Sequence, residues 1–125
     1  MDNEAVRRLE ERTRSFAVAA VRLGRSLKDK YDLQDLLGQL TRSACSVAAN
    51  HRAMSRARST REFAAKLHVV HEEADEAAHW LALLRDCTED QAAAGSIGTL
   101  LDEATQLRNI FGHARATTRR RYFSN

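Results

Sequence analysis

The chain has 125 residues, no proline, five glycines and 6% aromatic residues; 30% of it is charged and the formal net charge is +3. Ordinary usage of about 5% proline would place roughly six in such a chain, so β-sandwiches and domains joined by rigid linkers are excluded, and the 43% apolar content argues against disorder. One domain with a real core is expected.

Apolar or small residues then recur three and four apart, the seam of a packed helix. The first seam is Val6, Leu9, Thr13, Phe16, Ala20, Leu23 and Leu27, with Thr13 as its lapse. Asp29 to Asp32 interrupts it, and Asp32 is placed to N-cap a second helix. That helix reads Leu33, Leu37, Leu40, Ala44, Val47, His51 and Met54. Ser55 to Arg58 forms a joint, and Ser59 with Glu62 makes a capping box. The third seam, Phe63, Leu67, Val70, Ala74, Ala77, Leu81 and Leu84, has no fault. Thr88 and Gln91 allow one short extra turn before Gly95 and Ser96 separate the last two helices, the fourth reading Ile97, Leu100, Ala104, Leu107, Phe111 and Ala114. Helices are expected at about 3–28, 32–55, 59–87 and 96–117, in a bundle over 1–118 followed by a basic tail, 119–125. Short connections make neighbours antiparallel, so the fold class is all-α, an up-down-up-down four-helix bundle.

Apolar residues outside the seams widen two helices: Val18 and Val21 on the first, Val69, Trp80 and Leu83 on the third. A second stripe points to a further contact surface, and the tryptophan favours self-association.

Charge is more informative by position than in total. Residues 51–66 hold Arg52, Arg56, Arg58, Arg61 and Lys66 against Glu62; residues 108–125 hold Arg108, Arg115, Arg119, Arg120 and Arg121 against no acid. Residues 67–107 carry nine acids against Arg85. An antiparallel bundle brings the two basic segments to one pole, beside Arg7, Arg8, Arg12 and Arg14 at the start of the first helix. Such a pole suits phosphate or an acidic protein. The competing reading is a solvated face, with Glu62 and Lys66 as an i,i+4 pair and helix dipoles favouring the cations.

Enzymatic chemistry finds little support. His68, His71, Glu72, Asp75, Glu76 and His79 resemble a metal site, yet no second Glu-x-x-His exists and no glutamates from other helices complete a di-iron set. His68 with Glu72 and His71 with Asp75 read equally well as surface pairs. His51 lies in phase with a core seam, and Asn50 is suited to backbone groups freed at a helix end. Cys45 and Cys87 have no Cys-x-x-Cys spacing and read as small core residues of a reducing compartment. No apolar run approaches the ~20 residues of a membrane span, nor does a signal peptide appear. The expectation is a cytoplasmic non-enzyme without metal or cofactor.

The segments Gln39-Leu40-Thr41-Arg42-Ser43-Ala44, Ser46-Val47-Ala48-Ala49-Asn50, Arg58-Ser59-Thr60-Arg61-Glu62-Phe63 and the Glu72, Glu73, Glu76 ladder before Trp80-Leu81 resemble the four-helix-bundle family named for proteins encoded in intervening sequences of 23S ribosomal RNA genes. Where many members have a proline before the asparagine and an acidic-glycine turn after it, this chain has Ala49 and His51-Arg52-Ala53. The resemblance implies a bundle assembled as a homopentameric barrel. It also implies kinship with the accessory protein of diversity-generating retroelements, a basic ring that binds reverse transcriptase and nucleic acid. It implies no catalytic activity.

The resulting expectation is a homo-oligomer binding RNA, DNA or a ribonucleoprotein, such as one containing a reverse transcriptase, through Arg52, Arg56, Arg58, Arg61, Lys66, Arg115, Arg119, Arg120 and Arg121. Its oligomer contacts would come from Val18, Val21, Val69, Trp80 and Leu83. A protein-only scaffold is the alternative.

Overall fold

A computed structural model describes residues 3–123, and the side chains from Glu4 onward. Four helices account for nearly all of them: α1 (Asn3–Ser26), α2 (Gln34–Ser55), α3 (Thr60–Cys87) and α4 (Gln91–Tyr122), with a 3-10 turn at Tyr31–Leu33. No strand occurs among the described residues.

The seams read from sequence are the core, except near the pole, where Val6, Leu9, Phe63 and Ala114 are half-buried. Phe16, Leu40, Val47, Leu67, Val70, Leu81, Ile97, Leu107 and Phe111 are buried, together with Ala20, Ala44, Ala74, Ala77 and Ala104, whose small side chains let the helices approach. Thr13, the lapse in the first seam, is also buried; its hydroxyl donates to the Glu10 carbonyl at 3.1 Å, so no polar group is stranded.

Helix ends differ from the sequence reading in two places. Asp32 does not cap α2; Leu33 occupies the N-cap position without a side-chain bond. Gln34 acts in the other direction, its amide donating to the carbonyls of Leu27 at 2.9 Å and Lys30 at 2.8 Å. The turn thus closes the end of α1 rather than opening α2. Gly95 and Ser96 do not separate two helices either. Asp90 accepts from the backbone N–H groups of Ala92 and Ala93, and α4 runs unbroken from Gln91. One helical glycine costs about 1 kcal/mol relative to alanine, less than burial of Ile97 and Leu100 supplies on either side of the next turn. The Ser59 cap forms as expected, its hydroxyl accepting from the Glu62 N–H at 3.0 Å.

The last helix also passes the expected stop near residue 117. Arg119, Arg120 and Arg121 lie within α4, not in a tail beyond the bundle, while Ser124 and Asn125 lie outside the described residues.

α3 packs extensively on both α2 and α4, and α1 on α2; the α1–α4 seam is the sparsest of the four. A groove of about 750 Å³ runs between α1 and α4, with Phe16, Ala19, Leu23 and Leu100 on its walls. None of the helices is long and apolar enough among the described residues to cross a membrane.

Candidate functional site

The antiparallel order brings the start of α1, the end of α2, the start of α3 and the end of α4 to one pole. Contacts across it bear this out. Arg56, just past the end of α2, reaches Glu10 of α1 at 3.2 Å, the His51 ring of α2 stands 5.8 Å from Phe111 of α4, and Leu67 and His68 of α3 share a pocket with Arg115 and Thr118 of α4. The nine cations selected from sequence therefore occupy the same end of the molecule.

Their pairing divides them. Arg56 has Glu10, and Arg58 meets Glu62 at 3.5 Å, which replaces the expected Glu62–Lys66 pair. Nearby on α1, Arg7 and Arg8 share Glu4. Arg12 makes a two-pronged contact with Glu103 of α4, 2.8 Å for each bond, and its third bond goes to Gln106. The hydrogen bond to Glu103 holds the Arg12 guanidinium above its usual pKa. Among the described residues Arg52, Arg61, Lys66, Arg115, Arg119 and Arg121 have no carboxylate within 4.0 Å. Arg120 donates to the Thr117 hydroxyl at 3.5 Å.

Arg115 is held by an unexpected partner. Its guanidinium donates to Nδ1 of His71 at 3.2 Å, which requires the imidazole to be neutral on that nitrogen. Burial pushes the His71 pKa below its ordinary value, and the charge of Arg115 pushes in the same direction. Gly112 makes the approach possible: a Cβ there would lie 3.0 Å from His71 Nε2. The expected His71–Asp75 pair does not form, because Asp75 meets Arg108 at 3.5 Å; the His68–Glu72 pair does, at 2.9 Å. Beside Arg115 lies a pocket of about 190 Å³ between α3 and α4, where Thr118, Arg119 and Phe123 join His68.

The other side of α3 is built differently. Arg42 of α2 bridges Glu73 at 3.0 Å and Glu76 at 2.7 Å. Burial pushes the Glu73 carboxyl upward, yet hydrogen bonds from Ser46, Glu76 and Arg42 outweigh it and leave the group below its usual range. Burial and the neighbouring Glu73 hold Glu76 above that range.

Two sequence readings fail locally. Cys45 and Cys87 are exposed rather than in the core. Asn50 does not serve a helix end; its amide donates to the Ser46 carbonyl and hydroxyl one turn back, at 2.9 and 3.0 Å. The apolar extras do not form one surface. Val18 and Val21 are 40% and 36% exposed on α1, whereas Val69, Trp80 and Leu83 are half-buried on α3, the diagonal helix. Trp80 packs against the core, with its indole nitrogen shielded and without a hydrogen-bond partner. His51 is buried in phase, as its position in the seam indicates, but neither ring nitrogen has a partner, and burial lowers its pKa against a weak opposing pull from Glu10. No group of three or more histidine, cysteine or acidic side chains among the described residues is arranged to hold a metal.

Sequence reasoning missed Gly112, Thr118 and Phe123, and it paired His71 with Asp75 rather than Arg115. Arg115, Arg119 and Phe123 do follow at i, i+4 and i+8 with Thr118 beside them, a signal of one helix face. What faces them from α3 depends on interhelical register, which periodicity does not give.

A family model described as 23S rRNA-intervening sequence protein matches residues 8–110, most of the bundle. The chain belongs to this family. Its fold is shared with a crystal structure from Bacteroides thetaiotaomicron, a protein of unknown function from the S23 ribosomal protein family. The TM-score is 0.75 at 24% identity, over 85% of this chain and 96% of that one. No curated protein matches. The match spans all four helices yet stops at residue 110, before Arg115, Arg119, Arg120 and Arg121.

Proposed function

We propose that this family member is a non-enzymatic, cytoplasmic, self-associating helical bundle whose arginine-bearing pole engages nucleic acid or a ribonucleoprotein, a reverse transcriptase complex among them. The observation that carries the reading is the sorting of cations at that pole. Arg12, Arg56 and Arg58 are paired with carboxylates, while Arg52, Arg61, Lys66, Arg115, Arg119 and Arg121 meet none among the described residues. Cations without acidic partners are the groups that displace counterions from phosphate, and contact through them is largely independent of sequence.

Self-association is supported by two separate apolar features on diagonal helices. Unlike patches on opposite sides of a protomer meet head to tail, and such contacts close into rings when the rotation permits, a homopentamer being one such closure. A ring repeats the pole, so weak single contacts add up. The groove between α1 and α4, with the exposed Val18 at its edge, also favours a second reading, a protein-only scaffold.

Fluorescence anisotropy with a generic RNA and a generic duplex at two salt concentrations tests the first reading. Binding at low salt that weakens steeply at high salt is expected. Absence of binding at low salt refutes it. A partner recovered equally well after nuclease treatment favours the scaffold.

A further inference from the structure

The pocket between α3 and α4 differs from the rest of the pole in being built rather than merely charged. At about 190 Å³ it falls below the roughly 300–1,000 Å³ of small-molecule sites. That space has room for one phosphate group. Arg115 and Arg119 line it with no carboxylate within 4.0 Å among the described residues, and the Thr118 hydroxyl lies between them in sequence. His68 completes the polar lining, its ring drawn to Glu72 at 2.9 Å. Arg115 is not free to wander: His71 accepts from it, and Gly112 leaves His71 the room to do so. An arginine fixed by a neutral imidazole leaves a net positive charge, whereas one fixed by a carboxylate forms a neutral pair. At the far end Phe123 contributes an aromatic ring that is half exposed.

We propose that this pocket receives the terminal phosphate monoester of a nucleic-acid strand. Arg115, Arg119 and Thr118 hold the phosphate, and the adjoining base stacks on Phe123. The inference rests on the nucleic-acid reading above and names the part of the strand that the site takes. A monoester carries about −1.5 to −2 charges at neutral pH and three strong acceptor oxygens, against one charge for an internal diester. Two arginines and a hydroxyl supply matching charge and donors. Stacking of an end base on an aromatic ring is tolerant of sequence.

The test compares three otherwise identical eight-nucleotide single strands at one salt concentration, by anisotropy: a 5′-phosphate, a 3′-phosphate, and hydroxyls at both ends. One phosphorylated strand is expected to bind about tenfold more tightly than the hydroxyl strand. The preference should vanish in the double variant Thr118→Val, Arg119→Gln, whose urea midpoint should equal that of the parent. Arg52→Gln with Arg61→Gln should instead weaken all three strands alike and leave the preference intact. Equal affinity for the three strands, or a preference that survives the double variant, overturns the pocket assignment while leaving general nucleic-acid binding in place. Absence of binding by all three overturns both.

Discussion

The two flanks of α3 hold the same residue type in opposite circumstances. Toward α2, Arg42 is shared by Glu73 and Glu76; toward α4, Arg115 leans on the imidazole of His71. The first arrangement neutralises charge inside the fold. The second fixes the position of a guanidinium and leaves its charge uncompensated. The contrast separates an arginine whose charge is balanced by carboxylates from one whose charge is not, a distinction that the net charge of +3 conceals.

The strongest way to break this contrast is to remove each arginine in turn. Arg42→Ala leaves Glu73, whose side chain is 11% exposed, without its cation. Stripping a partner from a buried acceptor costs about 1–3 kcal/mol, and the half-exposed guanidinium brings the expectation to about 1–2 kcal/mol. Arg115→Ala, which takes a donor from a neutral ring nitrogen rather than from a carboxylate, should cost less, about 0.5–1 kcal/mol. Urea denaturation followed by circular dichroism measures both. Equal losses would erase the distinction.

Acidification should separate the flanks next. His71 and His51 have pKa values below the ordinary histidine value of about 6.5 because of burial. Below that value the unfolded chain binds protons that the folded chain resists, so their contribution is fully present above it and is lost as pH falls toward the folded values. Glu73, held below its usual range, contributes above the ordinary glutamate value of about 4.3 and is lost only as pH drops through its own lower value. Stability should therefore fall in two steps between pH 7.5 and 3. His51→Leu together with His71→Phe should flatten the upper step and spare the lower one. An upper step unchanged in that double variant would show that neither histidine is responsible.

Gly112→Ala should have the smallest effect on stability. The gain in helix propensity, about 1 kcal/mol, offsets the displacement forced on His71 by a Cβ 3.0 Å from its Nε2. The His71 ring signals in NMR should nevertheless move, since the ring must shift by a few tenths of an ångström against Arg115. Unchanged ring signals would mean that the glycine is not what lets the two helices close on this histidine.

How much of this could be read from the chain depends on the range of the interaction. Phe16, Leu40, Leu81 and Leu107 were legible as core because burial repeats with the helical period, and one face is a local property. The Ser59 cap was legible for the same reason, its partner lying three residues away. Gly95 and Ser96 misled because local propensity was outweighed by the Asp90 cap before them and by buried Ile97 after them. Cys45 misled in another way: residue type gave the core assignment, while its helix phase places it on the outside of α2. The meeting of four helix ends at one pole was deducible from antiparallel order alone. Which of its arginines are already paired was not, since Arg12–Glu103, Arg42–Glu73 and Arg115–His71 join residues 91, 31 and 44 positions apart.

The central claim is that cations without internal acidic partners form the contact with nucleic acid. It is tested most directly by following the side-chain Nε–H signals of the arginines by NMR while a short RNA is titrated at low salt. Arg52, Arg61, Arg115 and Arg119 should shift and saturate together, and Arg12 and Arg42 should stay in place. Shifts led by Arg12 or Arg42, or no shift at any arginine, would contradict the account.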